Sequence, residues 1–169
     1  MRVLYLEDRQ IGRDNIDDYN QERHEIDFVD TITAFDEFLY EMNGYEKYDA
    51  VVIDLAIDMP LLTKDDIVNR IPELNRDEIP TKCIGITIPL YGLDYFKYVI
   101  AVRPETENML KDGRVLFFSG HAKKAKNRGL YDENMEIFKH TKMFDRAERG
   151  TTKALFEEFE KIEEARQRK

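Results

Sequence analysis

The hydrophobic pattern of the chain switches between two periods. Val3-Leu4-Tyr5-Leu6 is a short apolar run closed by Glu7-Asp8. Asp49-Ala50-Val51-Val52-Ile53-Asp54-Leu55 is another, and it delivers a carboxylate at its end. Runs this short, rich in branched aliphatic residues, suit strands buried on both faces and are too short for ordinary helices. Between them, Glu25-Ile26-Asp27-Phe28-Val29-Asp30 alternates polar and apolar, the mark of a half-covered or edge strand. Helical spacing fills the gaps. Ile11, Ile16 and Tyr19 form a thin stripe over 11–21, and Phe35, Phe38, Leu39 and Met42 recur on a helix that Thr33 can cap and Gly44 ends. The first 55 residues therefore read strand, helix, strand, helix, strand, which predicts a parallel sheet with right-handed crossovers.

The next stretch breaks the rhythm. Thr63-Lys64-Asp65-Asp66 resembles a helix start, but Pro72, Pro80, Pro89 and Gly92 interrupt the chain beyond it, so residues 60–91 read as an insertion. Leu93, Phe96 and Ile100 mark a helix stopping at Pro104, and Gly113 introduces the strand Arg114-Val115-Leu116-Phe117-Phe118, which ends in Ser119-Gly120-His121. Ile137-Phe138 is the short apolar core expected of the last strand, running into Lys139-His140-Thr141-Lys142. From Thr151, the spacing of Leu155, Phe159 and Ile162 predicts a closing helix. The alternation is that of a doubly wound α/β fold.

Composition narrows this. A chain of 169 residues, 42% hydrophobic and 36% charged, predicts one domain over 1–169 with the insertion at about 60–91. The net charge of −9 is uneven, with 16 acidic and 5 basic side chains in residues 1–60. That acidity repels phosphate and argues against a nucleic-acid surface there, while it suits a cation or simple solubility. The lone Cys83 permits no internal disulfide and points to a reducing compartment. No signal peptide or membrane-spanning run is visible, so a cytoplasmic protein without membrane contact is expected. His24, His121 and His140 lack metal-ligand spacing and read, like Cys83, as structural.

The chemistry-bearing residues stand at strand ends. Taken alone, Asp54 is either a catalytic or binding carboxylate or the first polar residue of a loop. In an open α/β sheet the carboxyl ends of the strands share one rim, where ligands bind. That rim would gather Glu7, Asp8, Asp54, Ser119 and a lysine near 139–142. Neighbouring acids repel in a partly desolvated cleft, and a hard cation such as Mg2+ relieves this through carboxylate and carbonyl oxygens. Asp54 could then attack a phosphoryl group as a carboxylate nucleophile, with lysine and Mg2+ balancing the transferring oxygens. The plainer readings stand beside this one: Glu7 and Asp8 as solvated acids, Ser119 as a helix cap, and Lys123, Lys124, Lys126 and Arg128 as a solvated helix face.

Four pieces in order, Val3 to Asp8, Tyr48 to Leu55, Gly92-Leu93-Asp94-Tyr95-Phe96, and Val115 to Gly120, resemble the receiver domain of two-component response regulators. The resemblance implies a three-layer sandwich around a five-stranded parallel sheet of order 2-1-3-4-5. It implies Asp54 as phospho-acceptor, Asp8 as the main Mg2+ ligand, Glu7 in the acidic pair, and the backbone carbonyl of Ala56 as a further ligand. Ser119 would be the switch hydroxyl beside a small Gly120, and Lys142, or its rival Lys139, the cation of the site. The implied donor is a phosphohistidine on a sensor histidine kinase or histidine phosphotransfer protein. Output would pass through a downstream protein partner, with no direct nucleic-acid contact and no catalysis beyond the protein's own phosphorylation and dephosphorylation. The chain departs from the pattern at Pro60, displaced from its usual place after the acceptor. It departs again at the lysine, which lacks the following proline, and in a long connection before the last helix. Two alternatives remain: a pseudo-receiver that binds partners without phosphorylation, and a small hydrolase or phosphotransferase acting on an external substrate.

Overall fold

The computed structural model describes residues 1–57 and 91–168; the expected insertion at 60–91 lies almost wholly outside them. Its strands are β1 (Arg2–Leu6), β2 (Glu25–Val29), β3 (Ala50–Ile53), β4 (Val115–Ser119) and β5 (Lys142–Asp145). All neighbouring pairs are parallel and the order is β2-β1-β3-β4-β5, the flavodoxin-like arrangement. Helix α1 spans Gln10–Asn20, and α2 spans Ile32–Asp36 and runs on to Glu41 with π-type hydrogen bonding. A single turn, α3 (Gly44–Lys47), leads to β3. Beyond it come α4 (Tyr91–Tyr95, π-helical on to Ile100), α5 (Glu107–Lys111), α6 (Ala122–Asn127) and the long α7 (Thr151–Gln167).

Strand side chains alternate between two cores because successive Cβ atoms point to opposite faces. Leu4, Leu6, Val51, Ile53, Val115 and Phe117 pack with Phe35, Leu39, Phe96 and Ile100 of α2 and α4. Val3, Tyr5, Ala50, Val52, Leu116 and Phe118 pack with Ile16 of α1 and Leu155, Phe156 and Phe159 of α7. Each fully buried side chain of this size contributes on the order of 1.5–3 kcal/mol. Among the described helices, none is long and apolar enough to cross a membrane.

The structure corrects four expectations. Ile137-Phe138 is not a strand: Glu136–Phe138 is a 3-10 turn that drives Phe138 into the core. Its ring stacks on Phe96 at 5.5 Å and meets Tyr131 at 4.6 Å, so its hydrophobicity reflects a plug between sheet and helix. The true β5 is half-exposed along its length and its sequence, Lys-Met-Phe-Asp, shows no apolar run. Only residues 146–150 then separate β5 from α7, so the expected long connection disappears. Helix α2 is capped by Thr31, whose Oγ1 accepts the Ala34 N–H at 3.1 Å, two residues before Thr33. Asn43, not Gly44, takes the left-handed turn after it, with φ 54°. An asparagine side chain tolerates that conformation, and Gly44 instead packs closely on the Phe38 carbonyl and Tyr48.

His24 sits just before β2 against the rings of Phe156 (5.7 Å) and Phe159 (5.5 Å). It is 9% exposed, and its Nδ1 has no hydrogen-bond partner among the described residues. Burial lowers its pKa, reinforced by the N-terminal ammonium and Arg23 and opposed by Glu163 and Glu160. The folded state therefore prefers neutral imidazole, and stability falls as pH drops below the unfolded value of about 6.5. Urea denaturation from about pH 7.5 to 5.5 should show His24→Phe losing less stability across that window than wild type. Parallel losses in the two proteins would exclude this role.

Candidate functional site

Chain order reverses between β1 and β3, and a crevice forms outside their carboxyl ends. Register sets what reaches it. Leu6 pairs with Ile53, so Glu7 and Asp54 leave adjacent strands at the same height. The Asp54 N–H donates to the Leu6 carbonyl at 3.0 Å, tying the two exits together. Carboxylate oxygens of Glu7, Asp8 and Asp54 all lie within 4.8 Å of one another. Glu7 is fully buried, Asp54 is 2% exposed and Asp8 is half-buried.

Glu7 is held from several directions. Its Oε1 accepts the Arg9 N–H at 3.0 Å, and Tyr5, buried beneath it, aims its hydroxyl at Oε2 from 3.4 Å. The Arg13 guanidinium donates twice to the Glu7 carbonyl, at 2.9 and 2.6 Å. Burial raises the Glu7 pKa, the Asp54 charge raises it further, and Arg146 pulls it back. Asp54 is held as firmly: Oδ1 accepts the Ala56 N–H at 3.2 Å, and Oδ2 accepts Arg146 Nη2 at 2.5 Å.

Arg146 is the residue that sequence reasoning missed. Its Nη1 donates to Glu7 Oε2, so the guanidinium bridges two of the three acids. Burial works to lower the Arg146 pKa, but the charges of Asp54, Tyr5 and Glu7 outweigh it and the net shift is upward. The cation at the acids is thus neither Lys142 nor Lys139. Lys142 Nζ pairs with Glu158 of α7 at 2.6 Å, and Lys139 pairs with Glu136 at 3.7 Å. The reason is register. Asp145 pairs with Ser119 and Lys142 with Leu116, so Lys142 begins β5, roughly 10 Å before the rim at ~3.3 Å per residue. Arg146 is the first residue past the strand. Its position was readable only with β5 correctly placed.

Ser119 closes β4 fully buried, and its Oγ accepts the His121 N–H at 3.1 Å. A hydroxyl that accepts one bond retains its proton to donate. Gly120 is exposed with open space around its Cα, and Ala56 is 5% exposed beside Asp54. A cavity of about 200 Å³ opens here, bounded by Arg9, Asn15, Gly120, His121, Asp54 and Arg146. Ile11, expected on the buried stripe of α1, is instead 70% exposed at its lip. Two glycines let the parts meet. A methyl group at Gly12 of α1 would overlap Glu7 Oε2 and Arg146 Nη1, and one at Gly92 of α4 would overlap the Asp54 carbonyl oxygen.

The residue set fits a divalent cation: three convergent carboxylates at one rim suit a hard ion. No protein-family model matches this sequence, and no curated protein is significantly similar to it.

Proposed function

We propose that this protein is a phospho-accepting receiver module of a phosphorelay, with Asp54 as the acceptor. The observation that carries the reading is the convergence of Glu7, Asp8 and Asp54 within 4.8 Å at the sheet's switch point. Ser119 ends the strand next to Asp54 in support of it. In the reaction, an Asp54 carboxylate oxygen attacks phosphorus while the P–N bond of a phosphohistidine breaks. The imidazole leaves with the electron pair, and an acyl phosphate remains on Asp54. The Ser119 hydroxyl would donate to a phosphoryl oxygen, and the small Gly120 leaves room for it. Mg2+, held by Glu7, Asp8 and Asp54 with the Ala56 carbonyl, would supply charge neutralisation at the transferring oxygens. The partners are then a histidine kinase or phosphotransfer protein as donor and a protein that reads the phosphorylated rim.

A second reading has its own support. Both Asp54 oxygens are engaged and the side chain is 2% exposed, which favours a pseudo-receiver that binds partners without phosphorylation. Incubation with Mg2+ and acetyl phosphate, followed by intact-mass measurement, separates the two. The expected result is a gain of one phosphoryl group that Asp54→Ala abolishes and EDTA suppresses. Wild type that stays unmodified while folded, or an adduct that survives Asp54→Ala, would overturn the phosphorelay reading.

A further inference from the structure

Arg146 stands at the rim without a part in that reaction. Its backbone N–H donates to the Ser119 carbonyl at 3.1 Å, which fixes where the side chain starts. From there the guanidinium lies beside the Phe118 ring, 5.7 Å from its centroid, and spans Glu7 Oε2 and Asp54 Oδ2. The other oxygens of those two acids accept backbone N–H groups from Arg9 and Ala56. The guanidinium therefore sits on the oxygens that the backbone leaves for a cation. The arrangement is built into α1 as well, because Gly12 carries no side chain where Glu7 and Arg146 meet.

We propose that Arg146 is an internal competitor for the divalent cation at Glu7, Asp8 and Asp54, so that guanidinium and ion displace one another from the same carboxylate oxygens. This rests on the cation-binding reading above. Each contender has a physical advantage. The guanidinium brings one charge in a planar fork that fits two carboxylates at once. A divalent ion brings two charges in a smaller volume and reaches Asp8 as well, but must shed water to do so. By linkage, the ion weakens the hold of Arg146 by the same factor that Arg146 weakens the ion. The displaced side chain has somewhere to go, since it already lines the cavity with Arg9, Gly120 and His121.

Calorimetric titration of Mg2+ into wild type and Arg146→Gln in the same buffer tests this. Arg146→Gln should bind Mg2+ at least about tenfold more tightly than wild type. Equal affinity in the two proteins, or tighter binding by wild type, overturns the competitor role and leaves the cation site standing. Failure of both folded proteins to bind Mg2+ removes the cation site itself, and the competitor with it. If Arg146→Gln does not fold, wild type decides the matter by NMR of its arginine side chains. Slowly exchanging guanidinium protons of Arg146 should become fast on saturation with Mg2+, and their persistence with the ion bound overturns the proposal.

Discussion

Arg146→Met is expected to lower the stability of the fold by about 2–4 kcal/mol at neutral pH. Removing one partner of a buried ion pair typically costs about 3–5 kcal/mol, and the 21% exposure of the Arg146 side chain reduces that. The loss should shrink on acidification. Glu7 has a raised pKa because of burial and Asp54, and without Arg146 the remaining downward pull on it is weaker. A carboxyl whose folded pKa lies above its unfolded value destabilises the fold when ionised and ceases to do so as pH falls through that value. Urea denaturation at about pH 7.5 and pH 5 should therefore show the variant recovering part of the difference from wild type. A deficit below about 0.5 kcal/mol, or one that does not change with pH, would mean that Arg146 does not compensate the acids.

Gly92→Ala sets two effects of opposite sign against each other. Alanine is the better helix former by about 1 kcal/mol, so propensity alone predicts a more stable protein. Packing predicts the reverse. The added methyl would overlap the carbonyl oxygen of Asp54, whose N–H is fixed to Leu6 and whose neighbour Leu55 accepts the Gly92 N–H at 3.1 Å. Neither strand nor helix yields cheaply at such a contact, and a net destabilisation of about 3 kcal/mol is expected. Gly120→Ala, with nothing within 4 Å of its new methyl, should stay within about 0.5 kcal/mol of wild type. Comparing urea midpoints of the three proteins measures this. Gly92→Ala as stable as wild type would show that α4 can move off the β3 exit, and with it off Asp54.

What the sequence revealed of the fold depends on burial. β1, β3 and β4 lie inside the sheet, covered on both faces, and their runs of Val, Leu, Ile and Phe are continuous enough to name them. β5 lies beyond β4 with exposed or half-exposed residues, so nothing in Lys142-Met143-Phe144-Asp145 outweighs the more apolar Ile137-Phe138 nearby. Local hydrophobicity marks burial and not strand conformation, and Phe138 is buried by a turn. The same error carried into the site. Glu7, Asp8, Asp54 and Ser119 were legible because each ends a legible strand or stands one or two residues past it. The cation was not, because its placement depended on the exit of β5, and a misplaced strand turned an arginine into a choice between two lysines.

The phenol of Tyr5 beneath Glu7 also bears on how the protein meets alkali. Burial and the charge of Glu7 raise its pKa well above 10, and burial lifts Tyr40 to about 12. Above about pH 10 an unfolded chain sheds these protons while the folded one keeps them, so each step upward favours the unfolded chain. The burial that packs these phenols into the fold thus also lowers its stability in alkali.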